Sequence, residues 1–347
     1  MQHKRFIFYW LLTGCFLIAV MVVIGGITRL THSGLSMVEW HMIVGSLPPI
    51  TEAQWLEPFQ KYQQSPEYQL KNSHFTLEEF KSIYWWEYIH RFLGRTIGLV
   101  FLLPFVFMWM RGWLTAEWKK KLIGLLLLGA FQGVLGWYMV KSGLVKNPYV
   151  SHYRLAAHLI SAFAAFGYTL WLALQIMYSG QKEPGRSLPK LLPVGFLALL
   201  VVQIIYGAFV AGLRAGYAYN TFPKMGNSWV PDDVFALQPL WQNFLEGGAG
   251  VQFVHRCLAY LVAAMAIFMA IKAQKTGLAA SIHTSVKWVS GLVALQFSLG
   301  VATLLLAVPV WLGVLHQFGA LLLFAGSLVL IFQNRRVRKE ERVLEAA

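Results

Sequence analysis

Charge is what this sequence lacks most. Only 13% of its 347 residues are Asp, Glu, Lys or Arg, while 57% are hydrophobic; ordinary soluble domains carry about a quarter charged residues. Most soluble classes are excluded at once. Acidic residues are the scarcer sign, 15 against 29 Lys plus Arg for a net charge of +14. A nucleic-acid binder of that basicity would carry more charge and less Leu, Val and Phe, so no nucleic-acid partner is expected. In a chain that crosses a membrane repeatedly, Lys and Arg collect on the cytoplasmic side, and the excess becomes a topology signal. Cysteine is nearly absent too. Cys15 and Cys257 both fall inside apolar runs, which argues against a disulfide framework or a Cys-based metal site.

What the chain has instead is long apolar runs. Stretches able to cross a bilayer, each of roughly 20 residues, occur at about 6–27, 84–110, 122–140, 155–177, 191–213, 250–271, 286–307 and 311–332. Trp288 to Asn334 holds no charged residue and as one helix would be about 70 Å long, more than twice the hydrocarbon thickness. It must turn back, and Pro309 is the natural break. Basic clusters (Lys4 and Arg5; Arg111 with Lys119 to Lys121; Lys182, Arg186 and Lys190; Lys272, Lys275 and Lys287; Arg335, Arg336 and Arg338) all fall on one side of this topology. Both termini are therefore expected in the cytoplasm, in a bacterial plasma membrane with lipid as surroundings. Neither a cleavable signal peptide nor a transit segment is expected. The outer side carries two long connections, 28–83 and 214–249, where a site would be built.

The two halves repeat weakly. Ile89-His90-Arg91 answers Val254-His255-Arg256; Gln132 to Gly136 answers Gln296 to Gly300; His158 answers His316, at offsets of 165, 164 and 158 residues. The expected fold is an all-α polytopic membrane protein of eight transmembrane helices, arranged as two four-helix bundles related by a pseudo-twofold. The amino-terminal bundle takes 1–180 and the carboxy-terminal one 181–347.

Six of the ten histidines (His3, His32, His41, His74, His152, His283) fall in loops or at helix ends. His90, His158, His255 and His316 differ: each lies five or six residues inside an even-numbered helix, at one common depth of roughly 9 Å. A single intramembrane His is often polar glue between helices. Four at matched depth point to cofactor chemistry, because ionisable groups in hydrocarbon are costly. Opposed imidazoles inside a four-helix bundle suit a haem iron, one haem per bundle. Zinc suits them less, since only Glu87 lies one turn from any of the four.

Glu87 breaks the repeat. It shares a helical face with His90, and the matching residue three before His255 is Gln252. A carboxylate there can act as acid or base, or stabilise developing positive charge; pairing with Arg91 or Arg95 is the plainer alternative. Arg29, Arg91 and Arg256 lie near the outer boundary, where haem propionates need partners, although snorkelling explains any one of them equally well. The dense Trp and Tyr at that level, Trp40 among them, read first as an aromatic belt.

The run Gly25-Gly26-Ile27-Thr28-Arg29-Leu30-Thr31-His32-Ser33-Gly34-Leu35-Ser36-Met37-Val38-Glu39-Trp40, with Gly45, Pro48 and Pro49 after it, resembles the signature following the first helix of haem A synthases. Glu87 to Arg91, Tyr153 to His158, Ala218 to Met225, His255-Arg256 and His316-Gln317 fit the same family in order. The resemblance implies oxidation of the C8 methyl of haem O to the formyl group of haem A, with water as oxygen source. It also implies that His90 and His158 ligate the substrate haem, with Glu87 catalytic, and that His255 and His316 ligate a permanent haem b that relays electrons. Haem O is the expected substrate partner; a transient complex with haem O synthase and self-association are further expectations. Residues 28–83 lack the cysteine pair that some members carry there. The competing readings are a di-haem b-type electron carrier or quinone oxidoreductase, whose haems usually lie on opposite membrane sides, and a haem transporter, which would not require Glu87.

Overall fold

The computed structural model describes residues 3–39, 47–145, 148–275 and 277–345; Trp40, His41 and Gly45 lie outside them. Nine α-helices occur among the described residues, with no strand: α1 (Lys4–Leu30), α2 (Glu52–Gln63), α3 (Leu77–Met110), α4 (Ala116–Lys141), α5 (His152–Met177), α6 (Leu191–Gly212), α7 (Gly248–Lys275), α8 (Ala280–Leu305) and α9 (Val310–Glu345). All but α2 are long and apolar enough to cross a membrane, in agreement with the eight apolar runs.

Helix ends differ from the hydropathy boundaries where caps extend them. α3 starts seven residues before the apolar run because Thr76 and Glu79 form a reciprocal capping box, which satisfies amide donors that a helix start leaves open. Thr115 caps α4 one way, its hydroxyl accepting from the Trp118 amide. Between α8 and α9 the chain turns at Ala307 and Val308, both left-handed at φ 55° and 58°, and Pro309 separates the two helices as expected. α1 and α6 both end on a left-handed residue that is not glycine, His32 and Arg214, each at φ 55°.

The chain forms two compact units. One is Met1–His3 with Phe16–Ala165, the other Lys4–Cys15 with Phe166–Ala347; the division thus runs within α1 and α5.

In the first unit the long connection between α1 and α3 is not a bare loop. α2, capped by Thr51 and Gln54, lays Trp55 and Tyr62 on Phe80, Ile83, Tyr84 and Tyr88 of α3. Trp55 meets Tyr84 edge to face at 5.0 Å, and Tyr62 stacks on Phe80 at 5.1 Å, the arrangement that aromatic quadrupoles favour.

In the second unit the connection between α6 and α7 is built from short 3₁₀ turns. Asn243, 1% exposed, pins it by accepting from the Leu237 amide at 2.7 Å and donating to the Leu237 and Leu240 carbonyls. On the other side the 183–188 segment is latched to the polar end of α9. Glu341 accepts from the Ser187 amide and hydroxyl at 2.8 and 2.6 Å, Asn334 exchanges hydrogen bonds with the Leu188 backbone, and Arg336 pairs with Glu183. Burial pushes the Glu183 carboxyl up, but hydrogen bonding from Ser281 and the Arg336 charge hold it below the usual carboxylate range.

Candidate functional site

The four intramembrane histidines fall in two pairs, one in each unit. His90 on α3 and His158 on α5 lie close enough for a charge on one to be felt by the other, and so do His255 on α7 and His316 on α9. Every one of the four has an Nδ1 atom that is buried and has no hydrogen-bond partner. Buried polar atoms are normally satisfied; four equivalent exceptions mark rings arranged for something other than structural hydrogen bonding.

Each ring also rests against a glycine of a neighbouring helix. A Cβ on Gly25 would lie 3.0 Å from His90 Cε1, and one on Gly136 3.3 Å from His158 Cε1. One on Gly207 would lie 3.3 Å from His255 Cε1, and one on Gly300 2.9 Å from His316 Cε1. Three of these glycines follow a glutamine by four residues, one helical turn. The Gln132 amide donates to Ser161 Oγ at 2.5 Å and to the His158 carbonyl at 3.3 Å, and that of Gln296 to the His316 carbonyl at 2.8 Å. Gln203 stands 3.5 Å from His255 Nε2. In α1 the corresponding position is Met21, whose methyl packs at Gly94, one turn after His90.

Glu87 and its surroundings are where the two units part. The Glu87 side chain is 3% exposed. Its Oε2 accepts from the Ser36 hydroxyl and the Met37 amide, both at 2.7 Å, and its Oε1 from Arg91 at 2.5 Å. Arg91 in turn donates to the Met37 and Glu39 carbonyls, each at 2.8 Å. Glu87 thus both pairs with Arg91 and anchors the strip after α1. In the second unit Gln252 and Arg256 occupy the equivalent places. Gln252 donates to the Tyr219 carbonyl at 3.0 Å, and Arg256 to the Tyr219 and Lys224 carbonyls at 3.0 and 3.2 Å. The loop grip is kept while the carboxylate is not. Arg29 belongs to the last turn of α1.

These donors fit iron held by opposed imidazoles. Each pair offers two imidazoles whose buried Nδ1 atoms are not tied up in structural hydrogen bonds. Among the described residues no three His, Cys, Asp or Glu side chains gather as a metal site, and both cysteines are free.

Sequence reasoning did not find the four glycines, although the spacing Gln-x-x-x-Gly at 132–136, 203–207 and 296–300 was their visible signal. It also passed over a basic and aromatic pocket of about 510 Å³ lined by Trp137, Tyr138, Lys141, Ser142, Val145 and Arg154. Arg154 lies one turn before His158, stacks 3.7 Å over the Tyr138 ring and donates to the Tyr138 carbonyl at 2.8 Å. Residues 305 and 312, which match Lys141 and Arg154 in the second half, are leucines.

The model of the cytochrome oxidase assembly protein family COX15-CtaA matches residues 8–328. A haem A synthase of Flavobacterium psychrophilum is 47% identical over 332 residues, which are 94% of this chain and 97% of that protein. Haem A synthases of Nitrosospira multiformis and Parvibaculum lavamentivorans are each 46% identical, covering 94% and 91% of this chain and 93% and 90% of their own lengths.

Proposed function

The chain belongs to the COX15-CtaA family of cytochrome oxidase assembly proteins, and on that premise we propose that it is a multi-pass membrane enzyme converting haem O to haem A. The reaction is an oxidation: the C8 methyl of the substrate and one water become a formyl group, releasing four electrons and four protons. Two rounds carry the methyl to an alcohol and then to a hydrated aldehyde that loses water.

The observation that carries this reading is the single carboxylate. Two matched histidine pairs would serve an electron carrier equally well, but a carrier has no use for a buried acid beside only one of them. In this reading His90 and His158 hold the substrate haem between α3 and α5, one turn from Glu87. Both Glu87 oxygens already receive donors, so its surroundings support a fixed negative charge that stabilises positive charge on the oxidised macrocycle more than they support a mobile proton acceptor. The Ser36 and Met37 donors keep the carboxylate aimed while Arg91 holds the covering strip.

His255 and His316 fit a resident haem b. Bound there, haem b supplies one-electron transfer to an external acceptor. Arg29 in the last turn of α1 and Arg256 within α7, together with Lys141 and Arg154 in the first unit, offer positive charge for propionates; Arg91 within α3 could do so only alongside the Glu87, Met37 and Glu39 oxygens it already holds. With the basic clusters read as cytoplasmic, both termini lie inside and the haem sites toward the outer face. The paired recurrences support two four-helix bundles related by a pseudo-twofold.

Chromatography of the haems bound after expression with a haem O source tests the reading. Wild type should yield haem b with haem O or haem A, and Glu87→Ala should keep haem b while haem O or its alcohol accumulates. Haem b alone at both sites would favour a carrier, and normal haem A output from the variant would remove Glu87 from catalysis.

A further inference from the structure

We propose that Gly25, Gly136, Gly207 and Gly300 are positioning residues that set the imidazole orientation of the four axial histidines, an inference that rests on the ligand reading above. Each comes from a different helix (α1, α4, α6 and α8), and each meets the same atom, Cε1, of one of the four histidines. The contact distances for an added Cβ run from 2.9 to 3.3 Å, at or inside the limit of ordinary packing, so the ring lies directly on the neighbouring backbone where any side chain would stand.

The consequence follows from ring geometry. An imidazole turns about its Cβ–Cγ bond, and with its Cε1 edge against a helix that rotation is blocked on one side. With Nε2 as the iron ligand, the nitrogen left over in each ring is the buried Nδ1, which has no hydrogen-bond partner, so the usual device for orienting a metal-bound histidine, a hydrogen bond from its second nitrogen, is not in place. Van der Waals contact with a bare backbone takes over that task. The planes of two opposed rings relative to each other and to the macrocycle tune the spin state and potential of a bis-histidine iron. Each unit combines one tight contact, Gly25 or Gly300, with one looser contact, Gly136 or Gly207. Alanine at the tight positions must therefore turn or push the ring, and alanine at the looser ones should do so less.

Other glycines of the same helices supply the controls. A Cβ on Gly133 of α4 or Gly291 of α8 meets nothing within 4 Å, and alanine there favours the helix. The full-length chain is expressed with its native haems as Gly25→Ala, Gly136→Ala, Gly207→Ala, Gly300→Ala, Gly133→Ala, Gly291→Ala and His255→Ala. Haem per chain, the low-temperature electron paramagnetic resonance g values and the midpoint potentials are then measured. The haem of the untouched unit reports in every variant that the chain has folded.

Expected are altered g values or at least twofold lower occupancy for one haem only: that of the first unit for Gly25 and Gly136, that of the second for Gly207 and Gly300. Gly25 and Gly300 should give the larger effects, and Gly133 and Gly291 none. Wild-type g values, potentials and occupancy in all four test variants, with haem lost from His255→Ala, would overturn the positioning role alone. Full haem retention by His255→Ala would overturn the ligand reading and this proposal together.

Discussion

The Glu87 carboxylate and the Arg91 guanidinium form an ion pair 2.5 Å across, one turn apart on α3, with side chains only 3% and 8% exposed. Neither charge is isolated. Two further donors reach the carboxylate from the strip after α1, and the guanidinium returns two hydrogen bonds to carbonyls of that same strip. One pair of side chains therefore carries both the chemistry proposed for the first unit and the attachment of its cover, and substitutions separate the two roles.

Arg91→Ala leaves Glu87 buried without its partner and releases the Met37 and Glu39 carbonyls. Removing one member of a buried pair typically costs about 3–5 kcal/mol. Thermal unfolding in detergent should show that loss, and proteolysis within residues 28–83 should accelerate.

Glu87→Gln keeps shape and one acceptor oxygen while deleting the charge. Its unfolding temperature should stay closer to wild type than that of Arg91→Ala, while haem A formation falls by at least tenfold and haem b content is unchanged. A variant with full turnover would show that the carboxylate only fastens the cover.

Trp55→Ala tests whether α2 belongs to the folded unit. Trp55 is 5% exposed in an aromatic cluster with Phe80 and Tyr84, and truncating a buried Trp costs about 3–5 kcal/mol. Amide exchange should rise across α2 and the start of α3 and stay unchanged in α8 and α9.

How much of this was legible in the sequence depended on range. The eight spans were visible because bilayer crossing needs only local apolarity, and the four histidines because an ionisable residue in such a run is conspicuous. Pro309 was readable because a proline cannot continue a helix. α2 was not read, although Trp55, Phe59 and Tyr62 share one helical face and Thr51 with Gln54 spells a capping box; in a polar stretch beside long spans its signal was weak. The glycine contacts were beyond reach for another reason. A close approach between helices is set by tertiary packing, and the recurring Gln-x-x-x-Gly spacing marks three of these glycines without showing what they touch.

The latch between the 183–188 segment and α9 predicts an acid-sensitive step. The Glu183 carboxyl lies below its ordinary value of 4.5, so its stabilising contribution is complete above that value and is lost as pH falls through the lower folded-state value. Wild-type unfolding temperature should therefore drop on acidification below about pH 4.5. Glu183→Gln should start lower at neutral pH and show a shallower acid limb. Parallel acid limbs for the two proteins would assign the sensitivity to other groups.

Arg91 and Arg256 grasp the covering segments by main-chain oxygens, not by side chains. Every residue type offers the same carbonyl, so the grip is blind to what the cover is made of. The covers themselves differ, one a helix with an aromatic underside and the other a chain of 3₁₀ turns, while the way each is tied down is the same. The fixed arginine and the free loop together describe a part that can be exchanged in evolution while the machinery beneath it is left alone.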